Sequence, residues 1–144
     1  KTMYNLAQYK LYDHAHSTYP YEETLENIAG TGYDAATSQL GQPWKIRTKA
    51  QVSELLTKCT WTWDTSNSIA GYSVTGPNGN KIFIPAAGKH TNEQVNDVGT
   101  AGYFWTSVLA DRSDFEAFTL EISNTKKGID YEKRFLGLPI RPVK

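Results

Sequence analysis

Two short helical patterns followed by short alternating runs predict an α+β domain, with two helices packed on short, twisted antiparallel strands joined by long loops. Three observations carry this. Apolar residues recur at helical spacing only between Asp34 and Cys59, period-two alternation starts at Thr60, and Gly, Pro and Asn gather between the alternating runs. The 144 residues suit one core, so positions 1–144 read as a single domain.

Residues 1–33 show no sustained period. A tyrosine recurs every few positions and Gly30-Thr31-Gly32 interrupts the chain, so the segment reads as irregular with at most one short strand. Asp34 is placed to cap a short helix through Ala35, Ala36 and Gln39, with Gly41 as its left-handed C-terminal stop. Thr48 and Gln51 have capping-box spacing, and Val52, Leu55, Leu56 and Cys59 then form one apolar stripe about three turns long. In TWTWDT, Trp61 and Trp63 share a face opposite Thr60, Thr62 and Asp64, which predicts a strand. GYSVT (71–75) and KIFIP (81–85) flank Pro77-Asn78-Gly79-Asn80, a hairpin signature. GYFWTS (102–107) and EAFTLEI (116–122) are further strands. GLPIRPV (137–143) contains Pro139 and Pro142, which lack a ladder N–H and suit an edge or bulged terminal strand. Loops around 89–97 and 108–115 and the segment 124–135 are expected to build a recognition face, as polar and aromatic stretches between patterned scaffold motifs.

Composition removes several functions. With 15 Lys+Arg against 15 Asp+Glu, the chain lacks the basic excess that a phosphate backbone demands, so nucleic acid is not expected as a partner. One cysteine, Cys59, rules out an internal disulfide and a four-cysteine zinc site, and its place on an apolar stripe points to packing. No apolar run reaches the roughly 18–20 residues of a membrane span. The sequence opens at Lys1 without a charged-then-apolar leader, as in a piece of a longer exported protein.

Candidate chemistry is sparse. His14 and His16 are the one close histidine pair, but no third ligand follows at metal spacing, so no metal or other cofactor is expected; His90 reads as a loop residue. No G-x-S-x-G elbow is present. The carboxylate pairs Glu22/Glu23, Asp111/Asp114 and Asp130/Glu132 read as solvated, since acid–base work needs a separation in space that sequence spacing does not fix. Trp44, Trp61, Trp63 and Trp105 all sit in patterned segments and are expected in the core. The remaining aromatic and charged mixture in the C-terminal third has the character of a recognition surface. Its candidate ligand-binding residues are Tyr103, Ser107, Asp111, Arg112, Asp114, Phe115, Tyr131, Lys133 and Phe135.

Four blocks in order, DAATSQLGQPWKIRTKAQVSELLTKCTWTW, GYSVTGPNGNKIFIPAAG, VGTAGYFWTS and RFLGLPIRPV, resemble the Fibrobacter succinogenes major paralogous domain from about Asp34 to the C-terminus. Residues 1–33 match poorly. Lys45-Ile46-Arg47 stands where that pattern has Arg-Met-Pro or Arg-Leu-Pro, and Thr106 where Ser is common. The resemblance implies a C-type-lectin-like fold with a loop-borne binding face, in an exported or outer-membrane-anchored protein of gut or rumen bacteria. The calcium-lectin tripeptides and the cysteine pair of the formylglycine-generating relatives are absent. The expected function is therefore non-enzymatic: binding, at the cell surface or outside the cell, of a glycan or protein on a host or neighbouring cell, with a role in adhesion. Alternatives are a retroelement-diversified receptor-binding tip, as on a phage tail fibre, and a glycan-active hydrolase using Asp111, Asp114 or the His14/His16 pair.

Overall fold

A computed structural model describes residues 26–66, 68–110 and 115–144. His14 and His16, together with Asp111, Arg112 and Asp114, lie outside the described residues.

Helix α1 (Ala35–Leu40) starts where the cap residue stands: Asp34 accepts from the backbone N–H of Ala36 and Thr37, and Gly41 ends the helix with a φ of 74°. After a two-residue strand β1 (Lys45–Ile46), helix α2 (Lys49–Lys58) carries the full capping box between Thr48 and Gln51. Three strands then meander antiparallel, β2 (Thr60–Ser66), β3 (Ile69–Thr75) and β4 (Lys81–Pro85). The PNGN turn closes the β3–β4 hairpin with Gly76 N–H donating to the Asn80 carbonyl. A small hairpin, β5 (Lys89–Thr91) with β6 (Gln94–Asn96), leads to a second antiparallel meander of β7 (Ala101–Leu109), β8 (Glu116–Ser123) and β9 (Lys127–Lys133). The terminal β10 (Pro142–Val143) returns to pair with β1.

The core lies where α2 meets both three-stranded sheets. Val52 from α2, Tyr72, Val74 and Ile84 from the first sheet, and Phe104, Leu120 and Ile122 from the second form one buried cluster. Ile84 and Ile122 are wholly enclosed, and burying each such side chain contributes roughly 1.5–3 kcal/mol. Leu55, Leu56, Cys59, Trp61 and Trp63 pack against this cluster, as the helical stripe and the TWTW alternation require. Both indoles meet the Tyr72 ring edge-on, at centroid distances of 5.4 and 5.0 Å. An isolated parallel bridge ties Gly88, in the link between β4 and β5, to Gly102 on β7. Gly88 has a φ of 70°, and a Cβ there would run into the Asn96 carbonyl, so the junction needs glycine.

Small antiparallel sheets with two helices make a mixed α+β class, as the patterning predicts. Several expectations are corrected. Residues 127–133 of the segment 124–135 form β9, paired in register with β8 from Glu116–Lys133 to Ile122–Lys127. Its sequence, KGIDYEK, has only Ile129 and Tyr131 as apolar markers, too few to stand out. Within 89–97 the chain forms the β5–β6 hairpin. Of the run 137–143, only Pro142–Val143 is strand. Trp44 and Trp105 are half-buried outside the central cluster rather than in it. Among the described residues, no helix is long and apolar enough to cross a membrane.

Candidate functional site

Register divides the second sheet into two faces, because successive side chains alternate. Tyr103, Trp105, Thr119, Glu121, Asp130 and Glu132 fall on one face; Phe104, Phe118, Leu120, Ile122, Tyr131 and Lys133 fall on the other, which looks onto the core and α2. The candidate binding residues are thus not one surface. Tyr103 stands apart from Tyr131 and Lys133. Phe115, Lys133 and Phe135 meet at one end of the β8–β9 pair, where Arg134 N–H donates to the Phe115 carbonyl and the Lys133 ammonium lies 5.9 Å from the Phe135 ring centroid. Phe115 is exposed. Ser107 is not available to a ligand: it is buried, and its Oγ finds no hydrogen-bond partner among the described residues.

Around Tyr103 the outer face is polar and organised. The Tyr103 hydroxyl donates to Asp97 Oδ2 at 3.1 Å, and the Lys89 ammonium sits 4.2 Å from the centre of its ring. Lys89 pairs with Glu132, while Lys126 pairs with both Glu121 (2.6 Å) and Asp130 (2.8 Å). Partial burial, reinforced by the acceptor Asp97 and the charges of Glu121 and Glu132, pushes the Tyr103 phenol up to about 12. It stays protonated at neutral pH and remains a hydrogen-bond donor.

A second arrangement lies on the α2 side, and the sequence reading missed it. Asp34 is fully enclosed, yet each of its oxygens accepts two backbone N–H groups: Oδ1 from Ala36 (2.8 Å) and Thr37 (3.2 Å), Oδ2 from Gly30 (2.9 Å) and Ile46 (2.8 Å). Burial by itself would push its pKa up; the four donors together outweigh that and hold it below the usual aspartate value. One residue beyond Ile46, Arg47 is only 7% exposed. Its Nε donates to the Arg141 carbonyl at 3.2 Å, and its own carbonyl accepts from Ser107 N–H on β7. Neither Arg47 nor Arg141 has an acidic partner among the described residues. Burial, with the like charge of Arg141, lowers the Arg47 guanidinium to about 10, so it is still cationic at neutral pH. Both arginines line a cleft of about 360 Å³ together with Gln51, Leu55, Ile82 and Val143. Arg141 contributes its backbone carbonyl to Arg47 and forms no ion pair among the described residues.

A detectable signal for this cleft was present. The segments 44–53 and 137–144 hold Lys45, Arg47, Lys49, Arg141 and Lys144 without a single acid, in a chain whose overall charge is zero. Among the described residues no group of three or more His, Cys, Asp and Glu could hold a metal ion. No protein-family model, curated protein or solved structure matches the chain.

Proposed function

We propose that this chain is a non-enzymatic ligand-binding module of C-type-lectin-like fold, belonging to the Fibrobacter succinogenes major paralogous domain family and working at a bacterial surface or outside the cell. The observation that carries the reading is the Tyr103 face. An aromatic ring whose hydroxyl is held by Asp97, with Lys89 placed against it, lies among lysines and carboxylates on a sheet. Such a surface offers a stacking plane together with donors and acceptors in set positions, which suits a glycan or a polar protein epitope. Its lysines are tethered by Glu132, Glu121 and Asp130, so little side-chain order has to be gained on binding. The four sequence blocks of the resemblance supply the extracellular setting. A glycan and protein array probed with the wild type and with Tyr103→Ala tests it. The expected result is a defined ligand set whose binding falls by about 2 kcal/mol in the variant, as for a central aromatic anchor. An array signal that Tyr103→Ala leaves unchanged would move the ligand elsewhere, and an enzymatic turnover of any array glycan would end the non-enzymatic reading.

A further inference from the structure

We propose that the cleft between α2, β4 and β10 is a binding site for a small organic anion, with the oxyanion head held by Arg47 and Arg141 and the apolar remainder against Leu55, Ile82 and Val143. It lies on the opposite side of the second sheet from Tyr103 and does not depend on the function proposed above.

The first support is an unmet charge. A guanidinium has five N–H donors, and Arg47 uses Nε alone, on the Arg141 carbonyl; the residue is more than nine-tenths buried, yet its amino groups are not enclosed and open onto the cleft that it lines. A buried charge is ordinarily paired, because taking it out of water without a counter-charge is unfavourable. Here the charge that acts on Arg47, that of Arg141, has the same sign. The β1–β10 register pairs Lys45 with Val143 and Ile46 with Pro142, so the next step sets Arg47 opposite Arg141. The backbone thus sets the two arginines opposite one another, both line the cleft, and an anion there would offset their like charge and take up guanidinium donors that no described residue fills.

The second support is the shape and chemistry of the space. Two planar forks match an oxyanion bidentately, whether carboxylate, sulfate or phosphate. The apolar part of the lining, Leu55, Ile82 and Val143, gives a hydrated inorganic ion nothing to bind and favours a ligand with an apolar body. The volume of about 360 Å³ is near the lower end of small-molecule pockets, which fits one ring or a short chain. Lys45, Lys49 and Lys144 raise the local positive potential without entering the lining, which favours the approach of anions.

The test is an amide NMR titration of the labelled chain with benzoate, hexanoate, sulfate and benzyl alcohol at constant ionic strength. Benzoate and hexanoate are expected to give saturable shifts at Gln51, Leu55, Ile82 and Val143. Sulfate should bind more weakly, and uncharged benzyl alcohol should give no saturable shift. Arg47→Met should weaken benzoate about ten- to a hundredfold, the loss expected for one charge-assisted contact. Should that variant fail to fold, Arg141→Met, at a half-buried position, reads the same loss. No saturable shift with either acid, shifts mapping away from these residues, or unchanged affinity in the arginine variant would overturn the site. Sulfate binding as tightly as benzoate would overturn the organic ligand.

Discussion

Asp34 and Arg47 are near neighbours in the fold, both charged and both more than nine-tenths buried, and their surroundings differ in one respect. The Asp34 carboxylate collects four backbone N–H groups from three places: the loop at Gly30, the first turn of α1, and β1 at Ile46. It therefore ties the Gly30 loop, α1 and β1 to one another, alongside the hydrogen bonds from Thr37 Oγ1 to the Trp44 carbonyl and from Gln42 Nε2 to the Gly30 carbonyl. The Arg47 guanidinium makes a single hydrogen bond and belongs to a residue set opposite another arginine across the β1–β10 register. A buried charge with its partners in place is a fastening. A buried charge without them is a liability for folding, tolerated where something outside the chain completes it.

The sharpest way to break this contrast is Asp34→Asn. An amide keeps one acceptor oxygen but presents N–H groups toward two of the former donors, so about 3 kcal/mol of stability should be lost in urea denaturation. The same site sets the acid limit. The folded pKa of Asp34 lies below its ordinary 3.8, so its contribution is complete at neutral pH and is lost as the pH falls below 3.8 through the lower folded value. Wild type should lose stability over that range, and Asp34→Asn should lose less of it. Arg47→Met should change stability in the other direction, raising it by about 1 kcal/mol, since an unpaired buried cation gives way to an apolar chain of similar length. That gain should shrink in alkali. The folded guanidinium titrates near 10 and the unfolded near 12.5, so between those values the unfolded chain binds the extra proton and the wild type gains stability as pH rises. Comparing the two chains at pH 8 and 11 by thermal melting checks the sign, since one pH unit above the folded value the wild type should have gained on the order of 1 kcal/mol. The smallest effect is spectroscopic: phenolate absorbance should show one tyrosine titrating near 12, absent in Tyr103→Phe.

Much of the scaffold was legible because local signals and tertiary structure agree. Asp34 capping, the Thr48–Gln51 box, the TWTW alternation and the PNGN hairpin are each settled within a few residues. What escaped is non-local. Nothing local in Lys45-Ile46-Arg47-Thr48-Lys49 marks Arg47 as buried, because the strand that pairs beside it comes from the far end of the chain. Strand β9 hides behind its charges, since its pairing with β8 and not its own apolar content holds it. The aromatic and charged mixture of the C-terminal third was visible, but its division into two faces follows from register, which the sequence pattern around Tyr131 and Lys133 does not reveal. Ser107 shows the same limit: the β7 register shifts between Trp105 and Leu109, so simple alternation past Trp105 misjudges its exposure.

The most direct measurement sets Asp34→Asn and Arg47→Met side by side in urea against the wild type at neutral pH without added organic acid. The account requires the two midpoints to move in opposite directions, Asp34→Asn down and Arg47→Met up. If both fall, Arg47 is a structural fastening like Asp34, and the contrast on which the cleft rests is wrong.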